Sequence, residues 1–173
     1  MRLISERGRE GRIRWRPYVG AAAAVAAAAT IGIAATDTRS TWYQRLSKPS
    51  WQPPPWAFGA TWIPLYAGIA WSGGRAWSQA DDGERMGLAT ALAVNLSLNA
   101  AWSWVFFVAR SPRAGLAGAL LLNASNLHRI PRAARSDLHA AAALMPYAAW
   151  SAGTSRGPSV LAIGDPPRLN RAE

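Results

Sequence analysis

The chain has no cysteine, two histidines and nine acidic residues among 173, and each scarcity removes a class of chemistry. Without cysteine there is no disulfide framework, no thiol nucleophile and no thiolate metal site. His128 and His139 stand at the ends of apolar runs, with no second histidine or carboxylate at ligand spacing, so neither a metal centre nor an axial ligand for haem iron is expected. No Ser/His/Asp set and no paired carboxylates face a common cavity, which leaves acid–base catalysis without its groups. No metal and no resident cofactor are expected.

Acidic charge is short as well: 19 Lys+Arg against 9 Asp+Glu give a formal net charge of +10. The basic residues fall in the tails and between apolar runs, as the flanking charges of membrane helices do. A nucleic-acid surface would need a contiguous basic stripe on a folded soluble domain, and none is visible. Nucleic acid is therefore not an expected partner.

What the chain does have is long uncharged stretches, hidden by a mean hydropathy of -0.02 that averages them with charged tails. No charge lies between Arg16 and Asp37, and none from Met86 to Ala109. A bilayer core takes roughly 20 apolar residues per helix, so both stretches qualify as spans. The reading is an all-α membrane protein, a bundle of five transmembrane helices. Residues 1–16 form a basic N-terminal tail, 17–152 the membrane domain and 153–173 a polar C-terminal tail.

The first span, Tyr18 to Thr36, is alanine-rich and suited to close helix packing. A loop with Trp42, Lys48, Pro49, Trp51, Pro53, Pro54 and Pro55 follows; its prolines lack N–H groups and hold an extended, stiff path. The second span runs from about Trp56 to Ser72 and is closed by Gly73-Gly74, with Pro64 inside it. Trp62 and Tyr66 share one of its faces, while Trp71 points the opposite way. In the third span, Met86 to Ala109, residues Asn95, Asn99, Trp102 and Phe106 fall within an arc of about 60°. Amides in hydrocarbon seek an interior partner, so this face is expected to look inward. A fourth span begins at Ala114 and fades near Leu127, short unless Asn123, Ser125 and Asn126 are buried against protein. The fifth, Leu138 to Ala152, carries Tyr147 and Trp150 on one face and is truncated or disrupted after Ala152, since its 15 residues give about 22 Å of helix.

The inward residues describe a slot lined by Trp62, Tyr66, Trp102, Phe106, Tyr147 and Trp150, with Asn95 and Asn99 as hydrogen-bonding points. Such a slot suits a flat, largely apolar ligand held between aromatic rings. The competing reading is that these aromatics merely pack helices or mark the membrane interface, with the asparagines as interhelical links. Trp15, Trp71 and Trp77 are read as interfacial anchors. Gly87 with Ala91, or Gly115 with Ala119, offers the small-residue spacing of a helix dimer, although such pairs arise by chance in an alanine-rich chain.

Several of these residues together resemble the TspO/MBR family of tryptophan-rich sensory proteins and translocator proteins. The resemblance is carried by Trp42-Tyr43, Lys48-Pro49-Ser50-Trp51, Pro53-Pro54, Trp62, Leu65-Tyr66, Leu98-Asn99, Trp102-Ser103, Phe106-Phe107, Pro146-Tyr147 and Trp150, in family order from about residue 37 to 152. It implies a five-helix homodimer in the lipid bilayer, here of a bacterial cell membrane. It also implies a pocket opening toward the first loop, which binds porphyrins, sterol-like lipids and drug-like aromatics for sensing or transport in tetrapyrrole or stress regulation. By the same resemblance, Trp42, Lys48, Pro49, Trp51, Pro53 and Pro54 would form the loop side of the binding site. Trp62 and Trp150 match positions tied to light-dependent porphyrin breakdown in some members. After Ala152 the pattern is lost: the family continues an apolar helix, whereas this chain reads GTSRGPSVLAIGDPP, either a genuine polar tail or a local frameshift that resequencing would expose.

Overall fold

The computed structural model describes residues 15–46 and 55–154. Among the described residues all regular structure is helical. Helix α1 spans Trp15–Ala35 and buries Ala21, Val25, Ala28, Gly32 and Ala35, a stripe at alternating spacings of four and three. That stripe packs on α3 and α4. The short α2, Thr41–Arg45, is started by Ser40, whose hydroxyl accepts a hydrogen bond from the Tyr43 amide at 3.3 Å.

Helix α3, Pro55–Gln79, begins on the proline expected at a first helical turn and runs without a break through Pro64. It also runs through Gly73-Gly74, where the sequence suggested an end. The reason is packing: a Cβ at Gly74 would stand 2.7 Å from the Cα of Tyr18, so the missing side chain lets the backbones of α1 and α3 touch. Helix α4, Asp82–Ser103, begins before the expected Met86 and passes into a π-helical turn, Trp104–Val108, in which the Ala109 amide reaches back to the Trp104 carbonyl at 3.1 Å. Arg110 then takes a positive φ of 52° and ends the helix.

Helix α5, Pro112–Ser136, is capped by Ser111 and continues nine residues past Leu127, through Arg129 and Pro131. Its polar positions are not an exit into water. Asn126 and Arg129 are buried, and Asn123 donates to the Ser151 carbonyl at 3.4 Å. The fifth segment is two helices rather than one: α6, Leu138–Ala142, and α7, Met145–Thr154. Pro146 explains the break, because its ring would clash with the Ala142 carbonyl four residues back in a continuous helix. Residues beyond Thr154 lie outside the description, as do Lys48, Pro49, Trp51, Pro53 and Pro54.

Two helical stretches, Trp15–Ala35 and Asp82–Val108, are long and apolar enough to cross a membrane; α3 and α5, at 25 residues each, have the length. The core lies where α1, α3, α4, α5 and α6–α7 meet, around Val25, Leu65, Ile69, Leu96, Ala140, Leu144 and Tyr147.

Candidate ligand-binding site

Four residues spaced three or four apart along α4 and the π turn that continues it carry the site. Asn95, Asn99, Trp102 and Phe106 all point inward as their spacing predicts, and Asn95 is fully buried. Their partners differ from step to step. The Asn95 amide donates to the Ser125 hydroxyl at 3.1 Å and to Asn126 Oδ1 at 2.8 Å, so this residue ties α4 to α5 and faces neither tyrosine. One turn on, Asn99 joins three helices: its Oδ1 accepts from the Tyr66 hydroxyl at 3.0 Å, and its Nδ2 donates to the Tyr147 hydroxyl at 3.2 Å. Trp62 lies on the same face of α3, with ring centroids 5.0 Å from Tyr66 and 6.3 Å from Tyr147. Trp150, one turn after Tyr147, is half-buried against the same core.

Toward the π turn the polar links give way to rings. Trp102 and Phe106 stack at 5.0 Å with an interplanar angle of 7°. The Trp102 indole N–H is used by the Gly115 carbonyl at 2.8 Å. A Cβ at Gly115 would stand 2.6 Å from the Phe106 ring, and one at Gly118 would stand 3.1 Å from Trp102, so these two glycines of α5 form the seat of the stack. From the loop side, Trp42 of α2 meets Phe106 edge-on at 5.5 Å, and Tyr43 lies 5.4 Å from Phe107.

The structure therefore brings Trp42, Trp62, Tyr66, Asn99, Trp102, Phe106 and Tyr147, with Trp150 beside them, into one continuous strip. Asn95 belongs to the α4–α5 seam at its closed end. Tyr43 and Phe107, prominent in the motif, also join the rings, and Gly115 and Gly118 complete their seat. The three-residue spacing of those glycines was the available signal. Of the three tryptophans read as interfacial anchors, Trp15 and Trp71 are exposed. Trp77 is instead half-buried and lines a small, partly open pocket between α3, α4 and α5.

Described residues that are all helical, with two bilayer-length apolar stretches and an interior of buried amides and aromatic rings, have the character of an integral membrane protein. The model of the TspO/MBR family matches residues 20–155, most of the chain, and the protein belongs to that family of integral membrane proteins. It is 33% identical to the human translocator protein over 119 residues, 66% of this chain and 69% of that one. The tryptophan-rich protein TspO of Chlorobaculum tepidum is 34% identical over 115 residues, 64% of this chain and 71% of the relative. That of Archaeoglobus fulgidus is 30% identical over 138 residues, 74% and 85% of the two chains.

Proposed function

We propose that the chain is a five-helix membrane bundle, α6 and α7 together forming the broken fifth helix, which binds a flat, porphyrin-like molecule between α3, α4 and α7 beneath α2. It acts as a sensor or transporter of such ligands, or of sterol-like lipids, in a bacterial cell membrane and as a homodimer. The observation that carries this reading is the strip in which Tyr66, Asn99 and Tyr147 are hydrogen-bonded in series beside the Trp102–Phe106 stack. Ring faces supply the attraction for a flat apolar ligand, and the amide and phenols supply orientation. The relatives' names, which speak of translocation and of tryptophan-rich proteins, agree with it.

Titrating the detergent-solubilised protein with protoporphyrin tests the reading. Saturable quenching of tryptophan emission, weakened by Trp42→Ala, is the expected result. Linear, unsaturable quenching would leave a scaffold whose aromatics only pack. A second reading, light-dependent porphyrin breakdown, is favoured by the placing of Trp62 against two tyrosines, a chain of oxidisable rings at 5.0 and 6.3 Å. Illuminating the complex separates the two: a new product band, lost in Trp62→Phe and Trp150→Phe with binding retained, identifies the enzyme, and an unchanged porphyrin spectrum identifies a binder.

A further inference from the structure

An open groove runs along the seam of α4 and α5 and shares no residue with the aromatic strip. The two helices are antiparallel here, and the lining changes in character from one end of the groove to the other. At its mouth, where α4 begins and α5 ends, Arg132 of α5 faces Gly87 of α4. A turn deeper come His128 and Thr90, and beyond Ser125 the walls are Val94, Leu98 and Leu121. From Gly87 to Leu98 is about 16 Å of helix, half of a hydrocarbon core of roughly 30 Å. The uncharged run from Met86 to Ala109 has its midpoint beside Leu98, so the groove covers the depth of one leaflet.

Arg132 is a cation without an anion. It is half-buried with its guanidinium reachable from the groove, and among the described residues no carboxylate pairs with it or lines the groove. Acids close by in the fold are engaged elsewhere: Asp82 with Arg85, Asp137 with Arg75 at 2.9 Å, and Glu84 with the Ser136 hydroxyl at 3.4 Å. A Cβ at Gly87 would stand 2.8 Å from Arg132 Nη1, so the side chain crosses the seam and lies on backbone that the glycine leaves bare. The charge is thereby held just inside the acidic first turn of α4, at the depth where the phosphates of one leaflet meet the hydrocarbon. The same contact argues against a second copy of the chain in the groove. Gly87 is already covered by Arg132, Ala91 is buried, and a two-fold axis along the groove would set two arginines at one depth with no carboxylate between them.

We propose that the groove holds one anionic phospholipid, with its phosphate on the Arg132 guanidinium and one acyl chain laid along Val94, Leu98 and Leu121. The guanidinium fork matches two phosphate oxygens, which a point charge would not. His128 and Thr90, a turn below, offer polar hydrogens at the level of the glycerol esters, and the apolar floor takes the chain. The lipid's own order of phosphate, ester and hydrocarbon is thus the order of the lining. The site does not depend on what the aromatic strip binds.

The test is native mass spectrometry on the full chain, stripped of lipid in detergent and titrated with dioleoyl phosphatidylglycerol or dioleoyl phosphatidylcholine. One phosphatidylglycerol should be retained per chain, about tenfold more tightly than phosphatidylcholine, the size of one charge-assisted contact. Arg132→Gln should remove that preference, whereas Arg113→Gln, exposed at the far end of α5, should leave it unchanged. Val94→Trp, which fills the apolar floor, should weaken both lipids alike. Excess inorganic phosphate should not displace the lipid, because it has no chain for the groove. Should Arg132→Gln fail to fold, the wild-type lipid preference and the phosphate competition decide between them. Equal retention of the two lipids by the wild type would overturn the proposal, as would a preference that survives Arg132→Gln. Displacement by inorganic phosphate would overturn it in favour of a plain anion site, and a lipid-free dimer broken by Val94→Trp in favour of an interface between two copies.

Discussion

The two halves of the strip along α4 are held by different physics. Asn95 and Asn99 engage partners on α3, α5 and α7 through hydrogen bonds of 2.8–3.2 Å, which fix distance and direction together. Trp102, Phe106, Phe107, Trp42 and Tyr43 meet by ring contacts with centroid distances of 5.0–6.4 Å; Trp102 stands on the last turn of α4, the two phenylalanines on the π turn and the other two on a five-residue helix. Ring contacts tolerate sliding and tilting at small cost, and one turn of helix has little stability of its own. The difference teaches which half can open. The amide half sets the helix arrangement, and under the proposed function the aromatic half would be the one to admit a ligand, by exchanging its own stacking partners for the ligand's rings.

A division of labour of this kind can be broken experimentally from either side. The largest effect on stability is expected at the amide half. Asn95→Leu leaves the buried Asn126 and the half-buried Ser125 without their donor, at a cost of about 1–3 kcal/mol. Thermal unfolding in detergent should show the loss, while protoporphyrin quenching by the fraction that remains folded keeps its half-saturation point. A fall in affinity equal to the fall in stability would erase the distinction between the halves. At the aromatic half the pattern should reverse. Trp42→Ala removes a half-buried ring that touches Phe106. It should weaken porphyrin binding about tenfold, or ~1.4 kcal/mol, with the melting temperature nearly unchanged.

Tyr66→Phe sits on the border and sharpens it. The substitution keeps the ring beside Trp62 and removes only the hydroxyl that donates to Asn99. Interhelical hydrogen bonds in membrane proteins average about 0.6 kcal/mol, so the stability loss should be of that size. If the phenol also orients a bound ligand, affinity falls by more than the stability does. Equal small losses in both would assign Tyr66 to the amide half alone.

How far the sequence disclosed this arrangement depended on where periodicity could speak. The inward face of α4 was readable because a polar–aromatic pattern repeating every three to four residues in an uncharged run has one economical burial. The same reasoning failed at glycines and prolines, whose local meaning depends on a neighbour. Gly73-Gly74 reads as a terminus and serves as the contact with α1, Gly73 against Ala21 and Gly74 against Tyr18. Pro64 and Pro131 are carried inside helices, whereas Pro146 opens a new one. A fourth span that fades near Leu127 leaves Arg129 in water, where a charge is expected, and its burial follows from α3 and α4 closing around it. The expected truncation of the fifth segment also changed in kind, from a short helix to one broken after Ala142, with its end beyond Thr154 outside the described residues.

The smallest expected effect lies at an ion pair between α3 and the start of α6, away from the amide links. Arg75 Nη2 lies 2.9 Å from Asp137 Oδ2, and Asp137 Oδ1 accepts from the Ala140 amide at 2.9 Å as the cap of α6. The hydrogen bond from Arg75, helped by the Ala140 amide, holds the Asp137 carboxyl below its usual pKa. Because the folded state lowers this pKa relative to the unfolded chain, the stabilisation is complete above the ordinary aspartate value of ~3.9 and is lost as pH falls through the folded value. Asp137→Asn separates the two roles, since asparagine still caps the helix but carries no charge. The wild type should therefore melt slightly higher than Asp137→Asn at neutral pH, by less than the Tyr66→Phe difference, and the gap should close on acidification below about pH 4. A gap that persists unchanged to low pH would mean that the residue acts through its cap alone. The charge on Asp137 would then add nothing to what its cap of α6 already supplies.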